Sequence, residues 1–285
     1  MKGRLTIGII FSTCFTIFGQ QVILKSDAAS SGSIGLPISN TPDKVKVDSN
    51  KDFEPTMFKS LNETIIQREH EVIMVGKMAP DGLNINELSL WGGYQKNLQQ
   101  MEEDEAFLKD CDRNFENREK ASLFFSDMGW QYLEEGHKEM ATYRYNLAYL
   151  LNPDNTEIYW GLGVIEYQKG EHQEAIKLMS MGLEADDKNA PLLTDLATVY
   201  INCFSQNAHN TDLPKAYQLL NKAIELEPQY ANAYMQLSYA NFLDSNIDNA
   251  WDAFHKGYKI SPTAINFDLL SQLIAVKPDP LGFFK

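Results

Sequence analysis

Five histidines, His70, His137, His172, His209 and His255, are the side chains of this 285-residue sequence best suited to proton transfer or metal binding near neutral pH, and their spacing gathers none of them. The pair His70-Glu71 opens like a zinc-protease helix, where a second histidine one turn on would complete two ligands around a general base. That position is Met74. No glycine-rich phosphate loop and no G-x-S-x-G elbow occurs; Gly161 and Gly163 flank Leu162 inside a helical pattern, where small residues serve packing. The acidic run from Glu102 to Glu105 lacks the loop spacing of a calcium site and reads as a solvated helix start favoured by the helix dipole. Cys14 lies in an apolar leader. Cys111 and Cys203, both in predicted helices, read as small buried side chains; a bond between them would need an oxidising compartment. The expectation is a chain that is not an enzyme and carries no cofactor and no metal.

Charge narrows the partners. The net charge is −14, and losing Lys2 and Arg4 with the leader takes it to −16, which repels phosphate backbones and anionic lipid surfaces. No nucleic acid and no small-molecule substrate is expected; the partner class left is another protein or peptide. A hydrophobic content of 44% is ample for a buried core.

The elements that would position a binding surface follow in order. Residues 1–19 place Lys2 and Arg4 before an apolar run from Leu5 to Phe18 and a small-residue exit at Gly19, the pattern of a secretory signal peptide. Thr13 before Cys14 is a poor lipoprotein match, so membrane association is expected only if the leader is retained or lipidated. The chain is therefore expected in the periplasm or secreted. Residues 20–52, rich in Ser, Gly, Pro and Asp, read as a flexible linker. Residues 53–93 read as partly helical, from Met57, Phe58, Leu61, Ile65 and Ile66 to a turn at Ala79-Pro80-Asp81-Gly82, with the run Val72 to Val75 open between strand and helix end. Residues 94–119 read as one amphipathic flanking helix with Leu98, Met101, Leu108, Cys111 and Phe115 on one stripe.

From residue 122 the chain repeats itself. Ala141, Ala175, Ala216 and Ala250 stand 34, 41 and 34 residues apart, and Pro153, Asp187, Pro228 and Pro262 keep the same intervals. Met128, Leu162, Leu196 and Leu237 are spaced 34, 34 and 41, which locates a seven-residue insertion in the third unit at Ser205 to Thr211, a turn composition. Four units result: 122–155, 156–189, 190–230 and 231–264. Residues 265–277, with Phe267, Leu270, Leu273 and Ile274, read as a C-terminal capping helix that stops at Pro278.

These units resemble the tetratricopeptide repeat family. In the second unit Tyr159, Leu162-Gly163, Gly170, Ala175-Ile176 and Leu183 match in order, with Met179, Gly182 and Asp187 departing from the usual aromatic, alanine and proline. The first unit offers Phe125, Met128-Gly129, Tyr132, Gly136, Ala141, Tyr145, Ala148 and Pro153. The third offers Leu196-Ala197, Tyr200, Ala216, Ala223 and Pro228, and the fourth Tyr234, Leu237-Ser238, Ala250, Phe254 and Pro262, with Asn241 where tyrosine is usual. The resemblance implies an all-α, right-handed superhelix of four helical hairpins, of the kind found in exported bacterial repeat proteins, and a protein-binding scaffold of the cell envelope.

In that architecture the stripe opposite the Leu-Gly column would line the concave groove. It comprises Leu123, Ser126, Trp130 and Leu133, then Glu157, Trp160, Val164 and Tyr167, then Pro191, Thr194, Thr198 and Ile201, and last Asn232, Met235, Tyr239 and Phe242. An exposed lane of Trp130, Leu133, Trp160, Val164, Tyr167, Thr198, Met235, Tyr239 and Phe242 would take an apolar or aromatic peptide. The carboxylate-gripping Lys and Asn set of chaperone-binding family members is absent. The alternatives are that the segment from Phe53 to Trp91 fills the groove in cis, or that poorly capped ends pair copies into a homo-oligomer.

Overall fold

The computed structural model of the chain describes residues 77–207 and 211–285; the expected leader and linker, residues 53–76 and residues 208–210 fall outside the described residues, and with them His70 and His209. Ten α-helices are described: α1 (Leu98–Asn114), α2 (Arg118–Glu134), α3 (Lys138–Leu151), α4 (Thr156–Lys169), α5 (His172–Ala185), α6 (Ala190–Asn207), α7 (Asp212–Leu226), α8 (Ala231–Leu243), α9 (Ile247–Ile260) and α10 (Phe267–Val276). Asparagine sets several of their starts. Asn117, Asn155, Asn189 and Asn266 each accept a hydrogen bond from a first-turn backbone N–H, at Lys120, Glu157, Leu192 and Leu269, so donors that would otherwise be orphaned are satisfied. Glycine sets two of the reversals, with Gly136 and Gly170 in the left-handed region where the chain turns back; Ser245 does the same work in the fourth unit at φ 59.

The pairs α2/α3, α4/α5, α6/α7 and α8/α9 are the four hairpins, and α3 on α4, α5 on α6 and α7 on α8 join them into a continuous stack. Each hairpin leaves an apolar face that only its neighbour can cover. Ala141, Ala175, Ala216 and Ala250 are all fully buried, as helices in recurring register require. In the Leu-Gly column a Cβ at Gly163 would come 2.5 Å from Met179 Cγ and one at Gly129 2.7 Å from the Tyr145 ring. The third and fourth units hold the buried Ala197 and Ser238 there, the serine hydroxyl donating to the Ala250 carbonyl at 2.7 Å. The fold is an all-α tetratricopeptide-repeat array.

Three places differ from the sequence-based expectation. The flanking helix is not continuous over 94–119: Tyr94–Gln95 form a two-residue parallel pairing with Lys77–Met78, α1 starts at Asn97, whose capping box with Gln100 fixes its entry, and the Asn117 cap starts α2 before residue 122. α1 leans on the array through Phe107, Leu108, Cys111 and Phe115, which meet Ala121, Phe125 and Leu151, and through Asp112, which accepts two hydrogen bonds from Arg118, while Leu98 and Met101 stay exposed. In the third unit Ser205 to Asn207, expected in a turn, are the last residues of α6. Beyond α10 the tail folds back on α9. Asp279 accepts backbone hydrogen bonds from Leu281, Phe283 and Phe284 at 2.8 to 3.0 Å, and Phe284 packs on Phe254 and Tyr258 with ring centroids 5.6 and 5.1 Å apart.

Candidate functional site

The residues with catalytic potential stay apart. His137 precedes α3 and meets the Tyr132 ring edge-on, His172 stacks on Tyr167 at 5.6 Å, and His255 stacks on Trp251 at 5.4 Å with its Nε2 2.9 Å from Asp279 Oδ1. Cys111 and Cys203 are free thiols, buried in separate clusters, and burial raises the pKa of each. The acidic run of α1 is engaged with its own neighbours: Glu105 pairs with Lys109, Glu103 accepts from Gln99 and Asp104 pairs with Lys96. Among the described residues no group of three or more His, Cys, Asp or Glu side chains is arranged to hold a metal ion, and no helix is long and apolar enough to cross a membrane.

The stripe residues do converge, but as a seam rather than an open lane. Trp130, Leu133, Trp160, Val164, Thr198 and Met235 are all buried, with Trp130 4% and Trp160 3% exposed. The reason is the closeness of successive first helices: α2 meets α4 directly and α6 meets α8 directly, so bulky stripe residues fill the space between them. Trp130 and Trp160 meet edge-to-face at 5.2 Å. Their indole N–H groups run the same way along the stack, Trp130 donating to Glu157 at 2.7 Å and Trp160 to Asp195 at 2.8 Å, each in the next unit. Crowding by protein pushes the Asp195 carboxyl up to about 7, against the opposing effect of the Trp160 hydrogen bond. In the third unit Thr194 and Thr198 turn their hydroxyls onto the carbonyls of Ala190 and Thr194, as buried polar groups must.

Of the nine residues expected to form the lane, three remain accessible, toward the helix C-termini. Tyr167, Tyr239 and Phe242 are half-buried. Asn202 of α6, which the sequence pattern did not single out, donates to the Tyr167 hydroxyl at 2.8 Å. Burial, then the nearby Tyr239, pushes Tyr167 up to about 12, and burial also raises Tyr239. The second, third and fourth units thus share one aromatic and polar cluster with surface to offer.

The segment expected to compete for the groove lies elsewhere, as far as it is described. Residues 85–93 pack on α3, the second helix of the first hairpin. Asn146 of α3 donates to the carbonyls of Asn86 and Leu88 and accepts from the Leu90 N–H; Ser89 donates to Glu166 of α4 at 2.5 Å; Trp91 meets Tyr149 edge-on at 5.6 Å. Leu90 and Trp91 adopt the left-handed region, at φ 48 and 57, a strain that these contacts offset.

Stack, columns and seam together define a tetratricopeptide array. No family model matches the chain. A TPR repeat-containing protein of Methanocaldococcus jannaschii is 25% identical over 153 residues, which cover 51% of this chain, and the match spans 26% of that relative's length, about a quarter. Among solved structures, PilF of Pseudomonas aeruginosa superposes with a TM-score of 0.50 at 18% identity, over 58% of this chain and 72% of that one. A thermophilic TPR protein of Thermus thermophilus gives 0.48 at 16% identity, over 55% and 84%.

Proposed function

We propose that this protein is a non-enzymatic scaffold that binds an apolar or aromatic segment of another protein on the inner face of its repeat array. The observation that carries the reading is the half-buried group Tyr167, Asn202 and the nearby Tyr239, which spans three hairpins, with Phe242 one turn beyond Tyr239 on α8. Tyrosine and phenylalanine offer large contact area at low entropic cost, and the Asn202–Tyr167 pair adds donors and acceptors at the rim. The buried tryptophans Trp130 and Trp160 hold the seam beneath. Binding there would be read from the rim. Tyr167→Ala with Tyr239→Ala is expected to keep the helical circular dichroism signal and to weaken capture of a crosslinked partner at least tenfold. Unchanged capture would sink the inner-face reading.

Export to the cell envelope is part of the same proposal and rests on the charge, apolar run and small-residue exit of residues 1–19. Cell fractionation with N-terminal sequencing tests it. A mature chain beginning near Gln20 outside the cytoplasm is the expected result, and a cytoplasmic chain with Met1 intact removes this part.

A further inference from the structure

The segment docked at the first hairpin and the tail docked at the last occupy corresponding places. Asn146 and Tyr149 of α3, which hold residues 86–91, align through the 34- and 41-residue intervals with Ser180 and Leu183 of α5. The same alignment leads to His255 and Tyr258 of α9, which meet Phe283 and Phe284. Glu166, the acceptor for Ser89, aligns with Tyr200 of α6. Between α5 and α7, over α6, the corresponding place is an open groove of about 450 Å³ lined by Ser180, Leu183, Leu196, Tyr200, Lys215 and Lys222. That size is within the ~300–1,000 Å³ of ordinary binding pockets.

We propose that this outer groove is a docking site for a short extended segment of a partner protein that carries a carboxylate beside leucine and aromatic side chains. Two arguments fix the chemistry of the occupant. The first is what fills the corresponding places: Leu88, Leu90 and Trp91 at one end of the array, and at the other Asp279, whose carboxylate faces His255, with Phe283 and Phe284. The second is charge. In a chain of net charge −14 the α7 rim of the groove is cationic. Lys215 lies 4.9 Å from the Tyr200 ring centroid and has no carboxylate partner among the described residues, while Lys222 pairs with the exposed Asp187. Glu184 on the opposite, α5 rim disfavours a second carboxylate there. The occupant therefore lies with its acid toward Lys215 and its apolar side chains on the half-buried Leu183 and Leu219. This site is on the second helices and does not rest on the inner-face reading.

The test uses the full chain and two fluorescent peptides, one copying residues 84–93 and one copying residues 278–285, with binding followed by anisotropy. Saturable binding is expected, weakened at least tenfold by Lys215→Glu and by Gln218→Trp, both exposed positions on α7 where substitution leaves the core untouched. Replacing the peptide's acid and aromatic residues by alanine should have the same effect. No saturable binding, or binding indifferent to both α7 variants, overturns the proposal. Loss of binding in Tyr239→Ala with the α7 variants unaffected would move the peptides to the inner face and also overturn it. A photo-crosslinker at position 218 addresses the remaining occupants. Crosslinking to this chain's own residues 1–76 without added peptide, or a concentration-dependent dimer abolished by Gln218→Trp, would assign the groove to the chain itself and overturn the partner reading.

Discussion

The first two hairpins and the third, with its junction to the fourth, pack by different means. In the first two, large rings press into helices stripped of side chain: Tyr145 is fully buried between Gly129 and Gly161, and Met179 lies against Gly163. In the third unit and its junction with the fourth the contacts are made by alanine, with Ala190, Ala197, Ala216, Ala223, Ala233 and Ala240 in one cluster with Leu193, Leu213 and Leu220. Both solutions reach interior density. They differ in tolerance, because a ring wedged between two backbones has no alternative rotamer while leucine against alanine can shift. The lesson is that one repeat pattern can specify a rigid seam in one part of the stack and a forgiving one in another.

The sharpest way to break this contrast is Gly161→Ala. The added Cβ would sit 2.0 Å from Tyr145 Cζ and 2.2 Å from its hydroxyl oxygen, and the ring cannot retreat from Gly129 behind it. We expect a loss of about 3 kcal/mol, roughly 10 °C in melting temperature, even after the helix-propensity gain of alanine. A loss below about 1 kcal/mol would show that the first seam is as forgiving as the second.

Next in size is a pH effect at the boundary between the two regions. Asp195 has its carboxyl pushed up to about 7 by burial, above its unfolded value near 3.8. Between pH 4 and 7 the native state holds a proton that the unfolded chain has released, so stability falls as pH rises through that window. The side chain keeps some exposure, and screening reduces the effect to about 2 kcal/mol. Asp195→Asn leaves Trp160 an acceptor and removes the titration, so the difference between the denaturation profiles of variant and parent should vanish at pH 4 and grow toward pH 7. A constant difference would place the charge of Asp195 outside the seam.

Much of this was legible beforehand, and what was not shares a cause. The alanine and Leu-Gly columns are one-dimensional signals, and buried Ala141, Ala175, Ala216 and Ala250 follow from their intervals alone. Periodicity also identified the face that carries Trp130, Trp160 and Tyr239. It could not give the distance between successive first helices, which depends on Tyr145 seating between Gly129 and Gly161, and so the stripe read as an open groove where six of its nine singled-out residues are buried. The docked segment and the tail were missed for a similar reason. Their anchors, Asn146 to Asn86 and Asp279 beside His255, join residues far apart in sequence, and no local pattern announces such a pairing.

A gentler probe of the forgiving region is Ala197→Gly. The residue is fully buried in the column where the first two units carry glycine. Here the Cβ is accommodated, so its removal costs the helix-propensity difference and a small void, about 1 kcal/mol by chemical denaturation. A gain instead would mean that the third unit is also short of room, and the contrast between the two regions would fail from its second side.

The smallest effect expected is a stabilisation. The Tyr145 hydroxyl is buried and has no hydrogen-bond partner among the described residues, and burial, with Glu157, Asp127 and Glu134 nearby, raises its pKa well above 10. Tyr145→Phe removes that oxygen and keeps the ring, including its edge-on contact with Trp130 at 6.0 Å. Relief of one unpaired buried group is expected to raise stability by somewhat under 1 kcal/mol, about 2 °C. The double variant with Gly161→Ala sharpens the point. Because the nearest clash is with Cζ and not with the oxygen, loss of the hydroxyl should recover only a minor part of what Gly161→Ala removes. Full recovery would show that the hydroxyl alone, and not the wedged ring, makes the first seam rigid.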